Sequence, residues 1–593
     1  MPARTIPELV GQIRAAHPER TAFRFKRDGE WRDWDWTRAE KECRRVSRAL
    51  LASGARRGDR VAILSQTRLE WVLCDLGIAG CGGITVGIYP SSLGTDCAYI
   101  LDHCEAEWVF VEDREQLAKV AAVRDRLPRL RRIVLFEGPG DPGSGVLSWE
   151  EFLRLAVDVP EAQLDGHQGE IGPEDVASIV YTSGTTGVPK GAMLTHGSLL
   201  FVAESAREAL AVTPGGVYLL FLPLAHVFAR LTVHLCMSAA NTIAFAEGLN
   251  QVAENLKEIR PNFLAGVPRI LEKIHGKILS DVRKAGGFRE KLFHWALRVG
   301  RRASGLEQEG RRLSVALAMQ HAVAHLVVFR KIQASFGGRV EFLISGAAPL
   351  DKSIAEFFHA CGVLILEGIG MTENSSFSNV NRKDRYKFGT VGPPGRGIEV
   401  KLAEDGEVLV RGPNVMKGYY KDAAATAEAI DSDGWLHSGD VGEIDPDGFL
   451  TITDRKKDLI VTSGGKNIAP QRLERALRSS PFIGQAVVFG DRRKFITALV
   501  TLNPEHMRVW AALNGKDGMS LEALARDADV RAVVEAEVES ANAQLASFET
   551  VKKVRILPAD FTIEAGEMTP TLKIRRKVVA ERYRPLVDEM YLE

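Results

Sequence analysis

The feature that most constrains the fold is a buried strand followed at once by a loop rich in glycine and hydroxyl side chains. Residues 176–181 read Val-Ala-Ser-Ile-Val-Tyr, a short apolar run typical of a buried strand. Residues 182–190 then read Thr-Ser-Gly-Thr-Thr-Gly-Val-Pro-Lys. Glycine lets the backbone turn sharply, and successive N–H groups together with hydroxyls can surround a phosphate. The pattern predicts a polyphosphate cradle at the end of a strand.

The spacing of this loop excludes a P-loop NTPase. A Walker A loop needs Gly-x-x-x-x-Gly-Lys followed by Ser or Thr. Here two residues separate Gly184 from Gly187 and two more separate Gly187 from Lys190, and Gly191 stands where the magnesium-binding hydroxyl is required. The predicted phosphate ligands are Thr182, Ser183, Gly184, Thr185, Thr186 and Lys190.

The same stretch resembles the phosphate-binding signature of the AMP-forming acyl-CoA synthetases, the adenylate-forming superfamily. Further motifs follow in the family's order, so that the resemblance covers about residues 62–577. It implies that the chain joins a carboxylic acid to AMP and then transfers the acyl group to coenzyme A. The implied substrates and cofactors are a fatty acid, ATP, coenzyme A and Mg²⁺, with no nucleic acid partner.

Two motifs of the resemblance imply the acyl site and the loop beside adenine. Residues 221–230 resemble the acyl-site segment, with His226 near the reacting carboxylate. Residues 345–349 read Ser-Gly-Ala-Ala-Pro and resemble the loop that lines adenine, through Gly346, Ala347 and Ala348.

Residues 368–373 read Gly-Ile-Gly-Met-Thr-Glu and resemble the family's nucleotide element. The resemblance implies that Gly368 and Ile369 border adenine, that Thr372 binds phosphate and that Glu373 holds Mg²⁺. Magnesium takes hard oxygen ligands and shares them with nucleotide phosphates. Ile369 departs from the family, which has an adenine-stacking aromatic residue at this position.

The remaining motifs lie toward the C-terminus. Asp440 and Arg455 resemble the pair that binds ribose, and Lys457 stands at the family's hinge position. Gly464 and Gly465 resemble the loop that enters the site for the thioester step. Lys573 resembles the catalytic lysine; Leu572 precedes it where the general family has glycine, as long-chain fatty acyl-CoA synthetases tend to have.

The predicted catalytic residues are therefore Lys573, Glu373, Thr186 and His226, with Glu373 as the predicted metal ligand. Each residue type also has a plain structural interpretation that the sequence leaves open. A lone histidine beside apolar residues is often a core residue, Asp and Arg often form surface ion pairs, and a lysine in a charged run is usually solvated.

The order of patterns predicts an α/β fold. Residues 60–64 read as a strand, and Leu69, Val72, Leu73 and Leu76 have the spacing of one apolar helix face. Such alternation implies parallel sheets wrapped by helices. The Thr37-x-x-Glu40 spacing predicts a capping box at the start of a preceding helix.

From about residue 389 to 453, short strands between glycines predict a small distorted β-barrel or sheet, followed by a compact α+β segment. We predict an N-terminal adenylation domain over residues 1–456 and a mobile C-terminal domain, carrying the catalytic lysine, over 457–593. The boundary lies at the charged segment 454–458, which has the composition of a hinge.

Composition excludes several other classes of protein. Lys plus Arg and Asp plus Glu balance at 77 each, so the bulk charge favours no nucleic acid or polyanionic partner. The seven cysteines are scattered without zinc spacing, which predicts reduced core thiols. Residues 1–20 lack the apolar stretch of a signal peptide. We expect a cytoplasmic protein; peripheral contact with a membrane and the oligomeric state stay open.

Two features favour the first hypothesis, a long- or medium-chain fatty acyl-CoA synthetase. The helical insertion over about residues 271–339 and the Thr-Pro-Thr-Leu-Lys sequence at 569–573 both resemble long-chain synthetases. A ligase for an aryl, alicyclic or steroid acid is the second hypothesis, and a non-catalytic acyl or nucleotide sensor on the same fold is the third. The length of the acyl chain is not readable from these patterns.

Overall fold

A computed structural model describes residues 3–182, 188–463, 466–543, 545–546, 549–569 and 573–592. It confirms the α/β class: two large sheets with mostly parallel strands and surrounding helices make up the N-terminal part, and a smaller α+β unit follows.

Two eight-stranded sheets form the frame of the N-terminal part, and both are parallel in the centre. The first sheet has an antiparallel pair at each edge, whereas the second has antiparallel pairs at one edge and a parallel pair at the other. In spatial order, the strands of the first sheet are Asn379–Val380, Leu364–Ile369, Phe342–Ser345, Phe263–Gly266, Val217–Leu220, Thr242–Phe245, Thr21–Arg27 and Glu30–Asp35. Those of the second sheet are Gly418–Tyr419, Lys190–Thr195, Val176–Thr182, Ile84–Ile88, Arg60–Leu64, Trp108–Val111, Arg132–Leu135 and Val146–Ser148.

The α-helices of the N-terminal part alternate with these strands, as the sequence pattern predicts. They are Ile6–Ala16, Trp36–Ala52, Leu69–Gly80, Gly94–His103, Arg114–Ala121, Trp149–Arg154, Glu161–Gly169, His196–Ala209, Val227–Ser238, Val252–Ile259, Pro268–Ala285, Gly287–Gln308, Val315–Ala324, Arg330–Ser335, Lys352–Ala360 and Ala423–Ala429. A π-helical turn, His325–Phe329, joins two of them.

Two of these helices are buried on nearly every side. In Leu69–Gly80 all residues except Glu70 are buried, and in Val227–Ser238 all except Ser238 are buried. Helices that are apolar all round lie in the interior of a protein, and one hydrophobic cluster joins them to both sheets. Arg230 and Asp75 link the two helices through a buried ion pair of 2.7 Å.

The predicted capping box at Thr37 is wrong. The helix begins one residue earlier, at Trp36, and the Asp35 carboxylate accepts a hydrogen bond from the Arg38 N–H as its N-cap. Asp35 ends the preceding strand Glu30–Asp35. The side chain that satisfies the free N–H groups of a first helical turn is therefore the one at the strand-to-helix junction.

The predicted small β unit is a four-stranded antiparallel sheet. Its strands in spatial order are Glu399–Leu402, Glu407–Arg411, Leu436–Ile444 and Leu450–Arg455. The first and last of these do not pair with each other in the described ranges, so the unit is an open sheet with register shifts rather than a closed barrel.

The C-terminal unit has its own hydrophobic clusters. Its strands are Ile460–Val461 and Asn467–Ile468 in a small hairpin, and Ile483–Phe489, Ile496–Leu502 and Val551–Ile556 in a three-stranded sheet. Its helices are Pro470–Arg478, Pro504–Leu513, Leu521–Ala525, Ala528–Asn542, Arg576–Arg582 and Arg584–Leu592. All seven cysteines of the chain are buried and unpaired, as the sequence predicts.

Candidate active site

Parallel strands bring three of the predicted motifs to one edge of the first sheet. Strands Val217–Leu220, Phe342–Ser345 and Leu364–Ile369 run in the same direction. The carboxyl ends of parallel strands meet at one edge, which is where open α/β sheets bind ligands. His226, Gly346 and the segment from Ile369 follow these ends, and all three border one cavity.

His226 lies at the start of the helix Val227–Ser238 and faces the cavity. Its Nδ1 accepts a hydrogen bond of 3.1 Å from the Phe228 N–H, which leaves the proton of the neutral ring on Nε2. Burial, and then the charge of Lys573, lower the pKa of His226 to about 4. The ring is therefore neutral near pH 7 and offers an Nε2–H donor to a carboxylate.

The cavity behind His226 is apolar along most of its wall. It runs between the helices His196–Ala209 and Val227–Ser238 on one side and the strand ends of the first sheet on the other. The apolar lining residues are Ala206, Leu210, Phe228, Leu231, Leu235, Ile344, Ala347, Ile369, Phe377 and Val380. Its buried polar atoms include Ser345 Oγ and Asn379 Oδ1, which have no hydrogen-bond partner in the described ranges. A lining of this kind suits an apolar group that carries a polar head.

The loop from Gly346 to Ala348 follows the strand Phe342–Ser345. Ala347 has φ +68°, a left-handed backbone conformation that an L-residue adopts only when its surroundings hold it there. Just beyond this loop, the Glu367 carboxylate accepts a hydrogen bond of 3.0 Å from the Leu350 N–H. Burial raises the pKa of Glu367 to about 7. This contact ties the end of the loop to the neighbouring strand.

The segment from Gly368 to Glu373 needs glycine at one position for a steric reason. A Cβ on Gly370 would lie 2.1 Å from the Ser376 carbonyl carbon, so only glycine lets the two backbones approach this closely. Ile369 pairs with Asn379 across strands and presents its side chain to the cavity. Thr372 opens a short 3₁₀ turn that contains Glu373.

Glu373 is buried, 8% exposed, and its Oε1 accepts a hydrogen bond of 2.8 Å from the Tyr419 hydroxyl. The described residues contain no group of three or more His, Cys, Asp or Glu side chains able to hold a metal by themselves. One carboxylate beside a phosphate site is the donor set that suits a magnesium ion shared with a nucleotide.

Asp440 and Arg455 face each other across an antiparallel strand pair. They are register partners of the strands Leu436–Ile444 and Leu450–Arg455, and Arg455 Nε lies 3.2 Å from Asp440 Oδ1. Asp440 is 8% exposed whereas the Arg455 side chain is 43% exposed. Burial raises the pKa of Asp440, and the Arg455 and Lys573 charges oppose this. The Asp440 carboxylate is therefore buried, whereas the Arg455 guanidinium that pairs with it reaches solvent.

Lys573 belongs to the C-terminal unit, and its charge interacts with those of Arg455, Asp440 and Glu373 in the N-terminal part. The region between these four residues is here called the cleft. Its backbone is held by two hydrogen bonds with Thr569, of 2.8 and 3.0 Å. The side chain remains accessible to solvent but stands among the charges of Arg455, Asp440 and Glu373. Enclosure by the cleft and then the Arg455 charge lower the pKa of Lys573 to about 8, against the opposing effect of the two carboxylates.

The predicted phosphate loop, residues 182–190, connects the antiparallel strands Val176–Thr182 and Lys190–Thr195. Thr182 and Lys190 are cross-strand partners, so both ends of the loop are fixed at the edge of the second sheet. Ser183, Gly184, Thr185 and Thr186 lie outside the described residues. Lys190 Nζ stands 5.2 Å from the ring centre of Tyr419, the residue that contacts Glu373. The loop base and the predicted metal ligand thus share one neighbour.

Sequence reasoning missed the aromatic residues that support this loop. The Tyr99 hydroxyl donates to the Pro189 carbonyl at 2.9 Å, and the Tyr181 hydroxyl lies 2.7 Å from His103 Nδ1. Tyr419 was also missed. Each lies far along the chain from its partner or carries no motif of its own, so no local pattern could have identified it.

The segment between the two units contains Lys456 and Lys457. Lys456 Nζ binds the Asp405 and Glu407 carboxylates of the small sheet at 2.6 and 2.8 Å. Lys457 is exposed and lies in a turn in which the Arg455 carbonyl accepts hydrogen bonds from Asp458 and Leu459. Gly464 and Gly465 lie outside the described residues; the strands Ile460–Val461 and Asn467–Ile468, which precede and follow them in the sequence, pair antiparallel.

Comparison with known proteins identifies the family of this chain. The model of the AMP-binding enzyme family matches residues 12–420, and that of the AMP-binding enzyme C-terminal domain matches residues 457–593. The chain is 36% identical to the long-chain-fatty-acid–CoA ligase FadD15 of Mycobacterium bovis, over 99% of this chain and 97% of that protein.

Two solved structures share the fold. The adenylation domain of a carboxylate reductase from Mycobacterium chelonae superposes with a TM-score of 0.78 at 20% identity, covering 100% of this chain and 92% of that one. An anthranilate CoA ligase in complex with anthranoyl-AMP gives a TM-score of 0.73 at 21% identity, with 98% and 97% covered. These matches and the motifs above lead to one conclusion: the chain belongs to the AMP-binding enzyme family, the AMP-forming acyl-CoA synthetase superfamily.

Proposed function

We propose that this enzyme activates a long- or medium-chain fatty acid with ATP and transfers the acyl group to coenzyme A, releasing AMP and pyrophosphate. The observation that carries the proposal is the meeting of Lys573 from the C-terminal unit with Glu373, Asp440 and Arg455 at one cleft. His226, which the charge of Lys573 also affects, lines an apolar cavity. The similarity to a long-chain-fatty-acid–CoA ligase over nearly the whole chain supports the same reaction.

In the proposed arrangement, ATP lies across the carboxyl edge of the first sheet. Gly346, Ala347, Ala348 and Ile369 border adenine, and Asp440 accepts hydrogen bonds from the ribose hydroxyls. Thr372 and the phosphate loop bind the phosphates, with Lys190 at the base of that loop. The N-terminal adenylation domain would end at residue 456, and the mobile C-terminal domain would begin at residue 457.

The first half-reaction joins two anions. A carboxylate oxygen of the acid forms a bond to the α-phosphorus of ATP, and the bond from that phosphorus to the bridging oxygen breaks, so that pyrophosphate leaves with the electron pair. Negative charge accumulates as the groups meet, so catalysis depends on positioning and electrostatic stabilisation. The Lys573 ammonium would bridge the carboxylate and the α-phosphate, and the His226 Nε2–H would hold the carboxylate. When bound at Glu373, Mg²⁺ would supply positive charge to the phosphate oxygens.

In the second half-reaction, the thiol of coenzyme A must approach the acyl group from the face that Lys573 covers during adenylation. The thiolate of coenzyme A attacks the acyl carbon, and AMP leaves as its oxygen regains the electron pair. Lys573 occupies the cleft in the arrangement described above, so it must withdraw before the thiol can enter. Rotation about Lys457 would remove it and bring in Gly464 and Gly465, which makes one site serve two steps.

Adenylation is expected to fall at alkaline pH because Lys573 acts as an ammonium. The lysine is fully protonated well below pH 8 and loses its charge as the pH rises through its pKa of about 8. The kcat/KM for acid-dependent pyrophosphate exchange, which reports on the free enzyme, should therefore decline above about pH 8. Thioester formation from pre-made acyl-AMP should show no such decline, and a parallel decline of both steps would contradict the assignment.

Replacing Ile369 with tyrosine is expected to lower the KM for ATP. An aromatic ring at this position would stack on adenine, and ring stacking contributes about 1 kcal/mol, or about five-fold in affinity. The check is the KM for ATP in pyrophosphate exchange, with Ile369→Leu as the control that keeps an aliphatic side chain. An unchanged or higher KM for the tyrosine variant would mean that adenine does not lie beside residue 369.

The substrate class is tested by measuring AMP release with ATP, coenzyme A and a panel of acids. Long- and medium-chain fatty acids should be turned over, whereas an aryl, alicyclic or steroid acid that gave the highest kcat/KM would favour the second hypothesis. Failure of every acid would favour a non-catalytic sensor.

We also propose a cytoplasmic location, since seven buried and unpaired thiols suit a reducing compartment.

A further inference from the structure

We infer that the helical stretch Val315–Ser335, here called the surface helix, docks the enzyme onto an anionic lipid bilayer. The stretch is long and apolar enough to cross a membrane by length and composition, yet only 28% of its most apolar window is buried in the protein. It belongs to the helical insertion that separates the strands Phe263–Gly266 and Phe342–Ser345, and no step of the proposed reaction uses it.

One face of the surface helix exposes large aliphatic side chains. Val315 is 77% exposed, Met319 62%, Val323 51% and Leu326 64%. Their spacing of four, four and three residues places them along one side of a helix, and the exposed Ala318 and Ala322 extend the same apolar strip. A continuous apolar strip of this kind usually marks an interaction surface, in contrast to single exposed apolar residues.

The opposite face belongs to the protein core, so the helix lies on its surface and does not cross a bilayer. Leu317, Ala324 and Phe329 are buried, and Gln333 Nε2 donates to the Cys361 carbonyl at 3.1 Å. A membrane-spanning helix would have to leave these partners. A helix with one packed face and one apolar exposed face is suited to lie in the plane of the membrane interface.

Charge selects a lipid surface over other occupants. Residues 310–340 contain no Asp or Glu but five Lys or Arg residues, although the charges of the whole chain balance at 77 each; the five are Arg311, Arg312, Arg330, Lys331 and Arg339. Arg311 pairs with Glu309 and Arg339 donates to the Arg260 carbonyl, whereas Arg312, Arg330 and Lys331 are exposed. Basic groups at both ends of an apolar strip complement a bilayer that carries anionic headgroups.

The same charges disfavour a second copy of this chain as the occupant. In a two-fold dimer the same patch contacts itself. An antiparallel contact through the surface helix would set Arg312 of one copy near Arg330 and Lys331 of the other, and like charges opposed across an interface are unfavourable. Docking itself does not depend on the reaction; only its use, which is to draw a membrane-dissolved acid to the enzyme, rests on the proposed function.

The test is co-sedimentation of the full-length enzyme with lipid vesicles in the absence of ATP and coenzyme A. The enzyme should bind vesicles of phosphatidylglycerol and phosphatidylcholine at least about ten-fold more tightly than vesicles of phosphatidylcholine alone. The binding should weaken as salt rises from about 0.1 M to about 0.5 M.

Two sets of variants separate the apolar strip from the charges. Met319→Glu with Val323→Glu should reduce binding at least about ten-fold, and Arg330→Gln with Lys331→Gln should reduce it mainly at low salt. Both sets change exposed side chains, so the fold should persist. Leu513→Glu is the matched control, because Leu513 is 81% exposed and lies on the helix Pro504–Leu513 of the C-terminal unit. It should bind as the unchanged enzyme does.

Three results would overturn the inference: no binding to the anionic vesicles, unchanged binding by the Met319 and Val323 variant, or an equal loss in the Leu513 control. A dimer in solution that this variant dissociates would assign the face to self-association and would also overturn it. AMP release with a fatty acid dissolved without vesicles is measured in parallel. Vesicle binding without that activity would count against the proposed function alone.

Discussion

Replacement of Lys573 by alanine is expected to lower acid-dependent pyrophosphate exchange by about 10²–10³-fold, the loss that follows removal of one electrostatic donor from a reacting site. The ammonium is the positive group that the C-terminal unit brings to the cleft beside Asp440, Arg455 and Glu373. Without this positive charge, the repulsion between the carboxylate and the α-phosphate is no longer compensated. Thioester formation from pre-made acyl-AMP should be largely preserved, because that step requires Lys573 to be withdrawn.

Lys577→Ala is the matched control. Lys577 lies four residues further on, is exposed, and belongs to the helix Arg576–Arg582. It shares the basic local sequence with Lys573 but has no proposed contact with substrate, so both half-reactions should be unaffected. An equal loss of the two half-reactions in Lys573→Ala, or a similar loss in the control, would remove Lys573 from the catalytic residues.

Replacement of Lys457 by proline is expected to slow thioester formation by about 10²-fold, the effect of misplacing reacting groups by about 1 Å. A hinge residue must change φ and ψ between two states, and proline fixes φ. Adenylation should remain close to normal, since the bonds of the turn come from the Asp458 and Leu459 N–H groups to the Arg455 carbonyl and not from the Lys457 N–H. Acyl-AMP should then accumulate on the enzyme.

Lys457→Ala separates the backbone from the side chain. It removes the charge but keeps the freedom of φ, so its thioester rate should stay within a few-fold of the unchanged enzyme. The two half-reactions are measured in single turnovers, by pyrophosphate release and by acyl-CoA formation. If the proline variant lost both steps alike, or neither, the hinge and the boundary between residues 456 and 457 would lie elsewhere.

Local patterns predicted several elements closely. Residues 60–64 form the predicted strand Arg60–Leu64, and the apolar run at 176–181 forms Val176–Thr182. In both, the apolar run coincides with a strand buried inside the sheet. The predicted helix start at residue 37 was wrong. Asp35, at the end of the preceding strand, is the N-cap, and its carboxylate accepts a hydrogen bond from a free N–H group of the first turn.

The site was predictable in its residue types but not in its contacts. The motifs predicted His226, Glu373 and Lys573 as site residues because each stands in a distinctive local sequence. They could not predict that His226 Nδ1 accepts a hydrogen bond from the Phe228 N–H, which leaves the Nε2–H of the ring as the donor available to a ligand. They also could not predict that Tyr419 would reach Glu373, since 46 residues separate the two along the chain.

The sequence by itself determined the family and the α/β class, and it predicted the reacting groups, because these depend on glycine, hydroxyl and charged residues at short, fixed spacings. Tertiary structure alone decided how those groups act on one another. Only the folded cleft brings Lys573 among Arg455, Asp440 and Glu373, where enclosure and neighbouring charge lower its pKa to about 8. Only packing leaves one face of Val315–Ser335 exposed. Burial and long-range charge depend on the distance between segments far apart in the chain, and no local spacing encodes that distance.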